Sequence, residues 1–143
     1  VKQGESKYLG LALGMGIVFA GAACWQAIAA PAEEPSTIAK VMQALHKGPQ
    51  AVLGQLKAKL GNESPDWSAV EPLAKKYQEE VSKLPGQEPP KGEAASYEQK
   101  VKAYLATAKT LTEASTKKDL NAAKEAMGKI GMSCKDCHAA HKP

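Results

Sequence analysis

Beyond residue 36, apolar side chains recur at three- and four-residue intervals, the spacing that puts them on one face of an α-helix. The first such segment runs from about Ser36 to Leu60 and carries Ile38, Val41, Met42, Leu45, Val52, Leu53, Leu56 and Leu60. Gly48-Pro49 interrupts it and predicts a kink or break, and Gly61-Asn62 predicts its end. A second helix is expected from Ser64-Pro65, with Trp67, Val70, Leu73, Tyr77, Val81 and Leu84 on one face. Pro72 disturbs its early turns. Leu84 to Glu93, with Pro85-Gly86 and Pro89-Pro90, reads as a loop.

A third helix is expected from Ser96, with Gln99 completing a capping box. Its stripe is Tyr97, Val101, Tyr104, Leu105, Ala108 and Leu111. Asp119 caps a fourth, on which Leu120, Ala123, Met127 and Ile130 lead into Cys134. Four amphipathic helices with short connections predict an all-α chain whose residues 37–143 form an antiparallel four-helix bundle.

The N-terminal pattern is different. From Tyr8 to Ala30 the chain carries no charge, and Gln26 is its one strongly polar side chain. As a helix this stretch spans roughly 30 Å, enough for a hydrocarbon core. Residues 1–30 are therefore expected to be a single transmembrane anchor, and 31–36 a polar linker. Lys2 and Lys7 place the N-terminus in the cytoplasm and the remainder across the membrane. Gly10 and Gly14 form a small-residue pair suited to helix–helix contact in the bilayer. Competing readings are a cleaved signal peptide and, at AGAAC ending on Cys24, a lipoprotein cleavage site. Gly21 stands there where an aliphatic residue is usual.

Composition adds little to the helical picture except exclusions. Aromatic residues make up 5%, and the net charge is +4, from 19 Lys and Arg against 15 Asp and Glu. The lysines alternate with glutamates instead of clustering, as on solvated helix faces, which excludes nucleic acid as an expected partner. The roughly 110 residues beyond the linker give only a modest core, so a cofactor buried within it should add stability.

The chemistry is carried by Cys134-Lys135-Asp136-Cys137-His138, the C-x-x-C-H pattern of covalent haem attachment. Two thiols three residues apart can add to the two vinyl groups on one porphyrin edge. The adjacent histidine can then ligate the iron. Three other readings compete: a thioredoxin-like redox pair, a zinc site built from Cys134, Cys137, His138 and His141, and a simple disulfide. Haem attachment takes place outside the bacterial cytoplasmic membrane, the side on which Lys2 and Lys7 place the motif.

With this motif near the end of a four-helix chain, residues 37–142 resemble the class II c-type cytochromes, which comprise cytochromes c′ and low-spin relatives of the cytochrome c-556 type. The resemblance is carried by Met132-Ser-Cys-Lys-Asp-Cys-His-Ala-Ala-His-Lys142 and by Val41-Met-Gln-Ala-Leu-His-Lys47. It implies one covalently bound haem c, held by Cys134 and Cys137, with His138 on the iron. It also implies that Met42 stands where the low-spin relatives place the sixth ligand. In cytochromes c′ that place is apolar and the iron is open to small gases. His46, one turn on, is a competing ligand. The family's arginine just before this methionine is missing here, with Lys40 nearby. His141 is expected at the solvent edge or beside a propionate, and Met127 and Met132 as packing residues near the haem.

The expected function is electron transfer without enzymatic turnover, in a single-pass protein of the cytoplasmic membrane with its haem domain on the periplasmic side. Its partners would be redox proteins of a respiratory or photosynthetic complex and, through residues 8–30, the bilayer. The alternative is a five-coordinate haem protein that binds nitric oxide or carbon monoxide.

Overall fold

A computed structural model describes residues 36–143, and the expected anchor at 1–30, with Cys24, lies outside them. Five helices follow in order: α1 (Thr37–His46), α2 (Val52–Leu60), α3 (Trp67–Val81), α4 (Ala94–Thr116) and α5 (Leu120–His141), with no strand among the described residues. None of these helices is long and apolar enough to cross a membrane.

The predicted first helix is two helices. Gly48 takes a left-handed φ of +88° and Pro49 has no N–H to donate, so the chain leaves α1 and re-enters helix only at Val52. The helix expected from Ser64-Pro65 begins later. Asp66 is its N-cap, its carboxylate accepting from the Ser68 N–H at 3.1 Å and the Ser68 hydroxyl at 2.5 Å. Pro72 is accommodated inside α3 with its ring exposed, and the Ser68 carbonyl it cannot serve belongs to an exposed residue. The expected capping box at Ser96 does not form. α4 starts at Ala94 with Glu93 as an N-cap that makes no side-chain bond, and the Ser96 hydroxyl turns to His141 instead. Asp119 caps α5 as expected, accepting from the Ala122 N–H at 3.0 Å.

Four helices close a ring. α2 packs on α3, α3 on α4, α4 on α5, and α5 back on α2. The core is the set of buried apolar side chains they share, with Leu56, Val70, Tyr77, Ala108, Leu111 and Ile130 fully enclosed. Thr112 bridges two of the layers: its hydroxyl lies 3.2 Å from the Ala74 carbonyl of α3 and 3.2 Å from the Ala108 carbonyl of its own helix.

α1 stands apart. It packs on α2 and α3 but its backbone approaches neither α4 nor α5. A ten-residue helix is marginal in water by itself, so its docking rests on the burial of Val41 and Leu45. Each such side chain contributes about 1.5–3 kcal/mol. The result is a gap between α1 on one side and α4 and α5 on the other.

The α4–α5 turn is short and carries Lys118 at φ 57°, left-handed for a residue with a Cβ. The Lys118 N–H donates to Ser115 O at 3.1 Å, and the Asp119 N–H to Ala114 O at 2.9 Å, which holds it there. Lys118→Gly is expected to raise stability by about 1 kcal/mol, the approximate cost of that conformation. Urea unfolding of the two proteins side by side checks it, and an unchanged or lower midpoint would contradict it.

Candidate functional site

α5 runs without a break through the C-x-x-C-H motif to His141. On a helix, steps of three and four residues share a face, so Cys134, Cys137, His138 and His141 project toward one side. Both thiols are free and half-buried. Together with Met42 they face a cavity of about 420 Å³ that occupies the gap beside α1. That volume lies within the range of about 300–1,000 Å³ usual for small-molecule pockets.

Its walls are largely apolar. Ile38, Ala39 and Met42 line it from α1, and Tyr97, Val101 and Tyr104 from α4. Cys134, Cys137 and His138 close it from α5, and Leu84 and Pro90 from the loop at 82–93. Lys100 and Lys142 are the charged side chains along its lining, and no Asp or Glu side chain joins them.

The four residues singled out in the sequence therefore line one cavity: Met42 from α1 and Cys134, Cys137 and His138 from α5. His46 does not line it. His46 is exposed overall, yet the packed part of its ring, followed by the charge of His138, lowers its pKa. Met127 packs half-buried against the core, whereas Met132 is 64% exposed and points to solvent rather than toward the site.

Of the two places expected for His141, the solvent edge is not the one it takes. It is buried, not at a solvent edge. Its Nδ1 lies 2.9 Å from the Lys91 carbonyl and its Nε2 3.3 Å from the Ser96 hydroxyl. Its ring meets Tyr97 edge-on at 5.6 Å and 84°. The reason is the loop at 82–93, which the sequence leaves without a position and which folds over the last turn of α5.

Burial pushes the pKa of both Cys134 and Cys137 up, with each other's charge a further cause for Cys134. Both sit near the C-terminal end of α5, where the helix dipole also disfavours a thiolate. A thioredoxin-like pair needs the opposite: a helix N-terminus and a lowered thiol pKa. The zinc reading fails on His141, whose two nitrogens are already engaged. No group of three or more His, Cys, Asp or Glu side chains able to hold a metal ion occurs among the described residues.

What remains is an apolar slot with two protonated thiols at one edge, an imidazole beside them and a thioether opposite. The family model described as Cytochrome C′ matches residues 37–142, about three quarters of the chain. The chain belongs to the cytochrome c′ family. No curated protein and no solved structure matches it.

A cytochrome c′ carries c-type haem bound covalently, and the donor set here fits that group. The thiols are unoxidised and reach the cavity, the walls are apolar, and lysines rather than acids stand at its margin, where an anionic group can be met. Two features of this cytochrome c′ site had no signal in the sequence. One is the His141 arrangement. The other is a buried pair in which the Tyr77 and Tyr104 hydroxyls bond to each other, their rings edge-to-face at 6.1 Å and 81°. Each tyrosine sat on a predicted apolar stripe, but which two stripes meet is decided by helix packing. Burial raises the pKa of both hydroxyls, so they stay protonated. Burial, then the charges of Cys137 and Glu98, push Tyr97 up to about 12.

Tyr104→Phe should cost about 1–3 kcal/mol, because it strands the Tyr77 hydroxyl in the core. Adding Tyr77→Phe removes that stranded group, so the double variant should be no less stable than the single one. Denaturant unfolding of the four proteins tests this, and additive losses would show that the two hydroxyls do not depend on each other.

Proposed function

We propose that this cytochrome c′ family member is a membrane-anchored monohaem electron carrier in which Cys134 and Cys137 attach the haem and His138 and Met42 are its axial ligands. The observation that carries the proposal is the placement of Met42 and His138 on the same slot, from helices α1 and α5 that do not otherwise pack together. A flat macrocycle is the kind of group that separates two such walls.

Each residue has a role set by its chemistry. Cys134 and Cys137 would hold the macrocycle covalently at the end of α5. His138 would supply an imidazole and Met42 a soft thioether to the iron, a pairing that would raise the potential relative to two harder donors. Ile38, Val101 and Tyr104 keep water from the faces. Bound haem supplies the one-electron iron couple. With two protein ligands held in both oxidation states, little would have to rearrange on transfer. The role is that of a carrier rather than an enzyme.

The apolar stretch 8–30 supports tethering to the cytoplasmic membrane, with Lys2 and Lys7 supporting a periplasmic haem domain. Redox proteins of a respiratory or photosynthetic complex are the partners such a tether favours, and Gly10 and Gly14 offer a surface for a neighbouring membrane helix.

Absorption spectra of the ferric and dithionite-reduced protein, with and without carbon monoxide, test the ligand set. Sharp low-spin bands that carbon monoxide leaves in place are expected, and Met42→Ala should open the iron to carbon monoxide and lower the midpoint potential. A wild-type spectrum that shifts with carbon monoxide would instead make this a five-coordinate, gas-binding member of the family.

Cell fractionation tests the tether. The full chain should sediment with membranes and need detergent for release, while a chain beginning at residue 31 behind a cleavable export signal should appear in the soluble periplasmic fraction. Recovery of the full chain in that soluble fraction would remove the anchor from the proposal.

A further inference from the structure

The last turn of α5 is tied down more firmly than covalent attachment of haem requires. His141, the last residue of α5, is only 4% exposed. A carbonyl can only accept, so His141 Nδ1 carries the proton and donates to Lys91 O at 2.9 Å. Nε2 is then left to pair with the Ser96 hydroxyl at 3.3 Å. Tyr97, against which the ring stands edge-on, bonds through its own hydroxyl to Leu84 O at 3.4 Å. A Glu98 carboxylate oxygen accepts from the Gly86 N–H at 2.6 Å and secures the other end of the same loop.

The backbone has adapted to this contact. Gly92 holds φ +82°, and a Cβ there would stand 2.8 Å from the Ala140 carbonyl and 2.9 Å from His141 Nδ1. Glycine is needed twice over, for its conformation and for the closeness of the approach. Loop and helix end are thus built against each other. Leu84, Pro90, Tyr97 and His141 all line the same cavity as Cys137 and His138.

We infer that His141 is a positioning residue for the haem: it clamps the last turn of α5 to the 82–93 loop and so fixes the direction in which His138, one turn earlier, offers its imidazole. The inference rests on the haem reading above. Thioether links hold the macrocycle to the helix but leave the helix end free to rotate and fray, as helix ends do. A clamp one turn beyond the ligand removes that freedom. It does so with groups already engaged in hydrogen bonds.

The test uses the haem-loaded protein in three variants beside the wild type. His141→Phe keeps a ring against Tyr97 and loses both hydrogen bonds. His141→Asn places an amide nitrogen near the Nδ1 position and can retain the bond to Lys91. Leu111→Ala is a control, a buried residue of α4 about two turns beyond the last cavity-lining residue of that helix. Both thioethers should be intact in all of them by pyridine haemochrome spectrum.

His141→Phe is expected to change the spread of the ferric EPR g values and to shift the midpoint potential. His141→Asn should return both toward wild type. Leu111→Ala should lower the melting temperature and leave both unchanged. A His141→Phe protein that loses thermal stability as Leu111→Ala does, with g values and potential unmoved, would overturn the inference and leave His141 a packing residue. If that variant does not accumulate, Gly92→Ala carries the same test, since it forces the loop off the helix end while leaving His141 in place. A wild-type protein without a haem spectrum would overturn the haem reading itself, an outcome distinct from either of these.

Discussion

The structure depends on one gap. Four helices pack into a closed ring, and α1 lies on two of them while standing clear of the other two. Close packing normally eliminates such a space, because every unfilled wall forfeits its dispersion contacts. Here the space is lined by apolar side chains and carries the C-x-x-C-H motif. A rigid apolar group bonded to one wall would restore the lost contacts.

Around that gap the polar interactions serve to hold walls in place. The Tyr77–Tyr104 pair joins α3 to α4, Thr112 joins α4 to the backbone of α3, and His141 joins the end of α5 to the loop before α4. Each is buried or partly buried and satisfied, so each restricts geometry at little cost in unpaired groups. α1 packs on α2 and α3 instead. Val41 and Leu45 are its buried side chains, Ile38 and Met42 pack partly buried against the core, and Met42 also lines the slot. The residues of the haem motif therefore stand on the wall that His141 ties down, and Met42 on the facing one.

Much of this was legible along the chain. Helix is local and periodic, so the buried faces at Val52, Leu56 and Leu60, at Val70, Tyr77 and Val81, and at Val101, Tyr104 and Leu111 followed from spacing. The break at Gly48-Pro49 and the cap at Asp119 followed from backbone chemistry. The motif at Cys134, Cys137 and His138 named its cofactor because two thiols and an imidazole at that spacing on one helix match one edge and the metal of one group. Errors fell where capping residues competed: Asp66 rather than Ser64 starts α3, and Ser96 gave up a cap for a distant histidine.

By itself, then, the sequence determined the helical content, the apolar stripes and the attachment chemistry, because all three depend on residues within a turn or two of each other. Only the tertiary structure decided which stripes meet, that Met42 and not His46 lines the slot facing His138, and that Met132 points to solvent. It alone brought Lys91 and Ser96 to His141 across 50 and 45 residues of chain. No local rule fixes a loop with three prolines over a helix end; that contact exists because the packed ring of helices brings the two to the same place and Gly92 lets them touch.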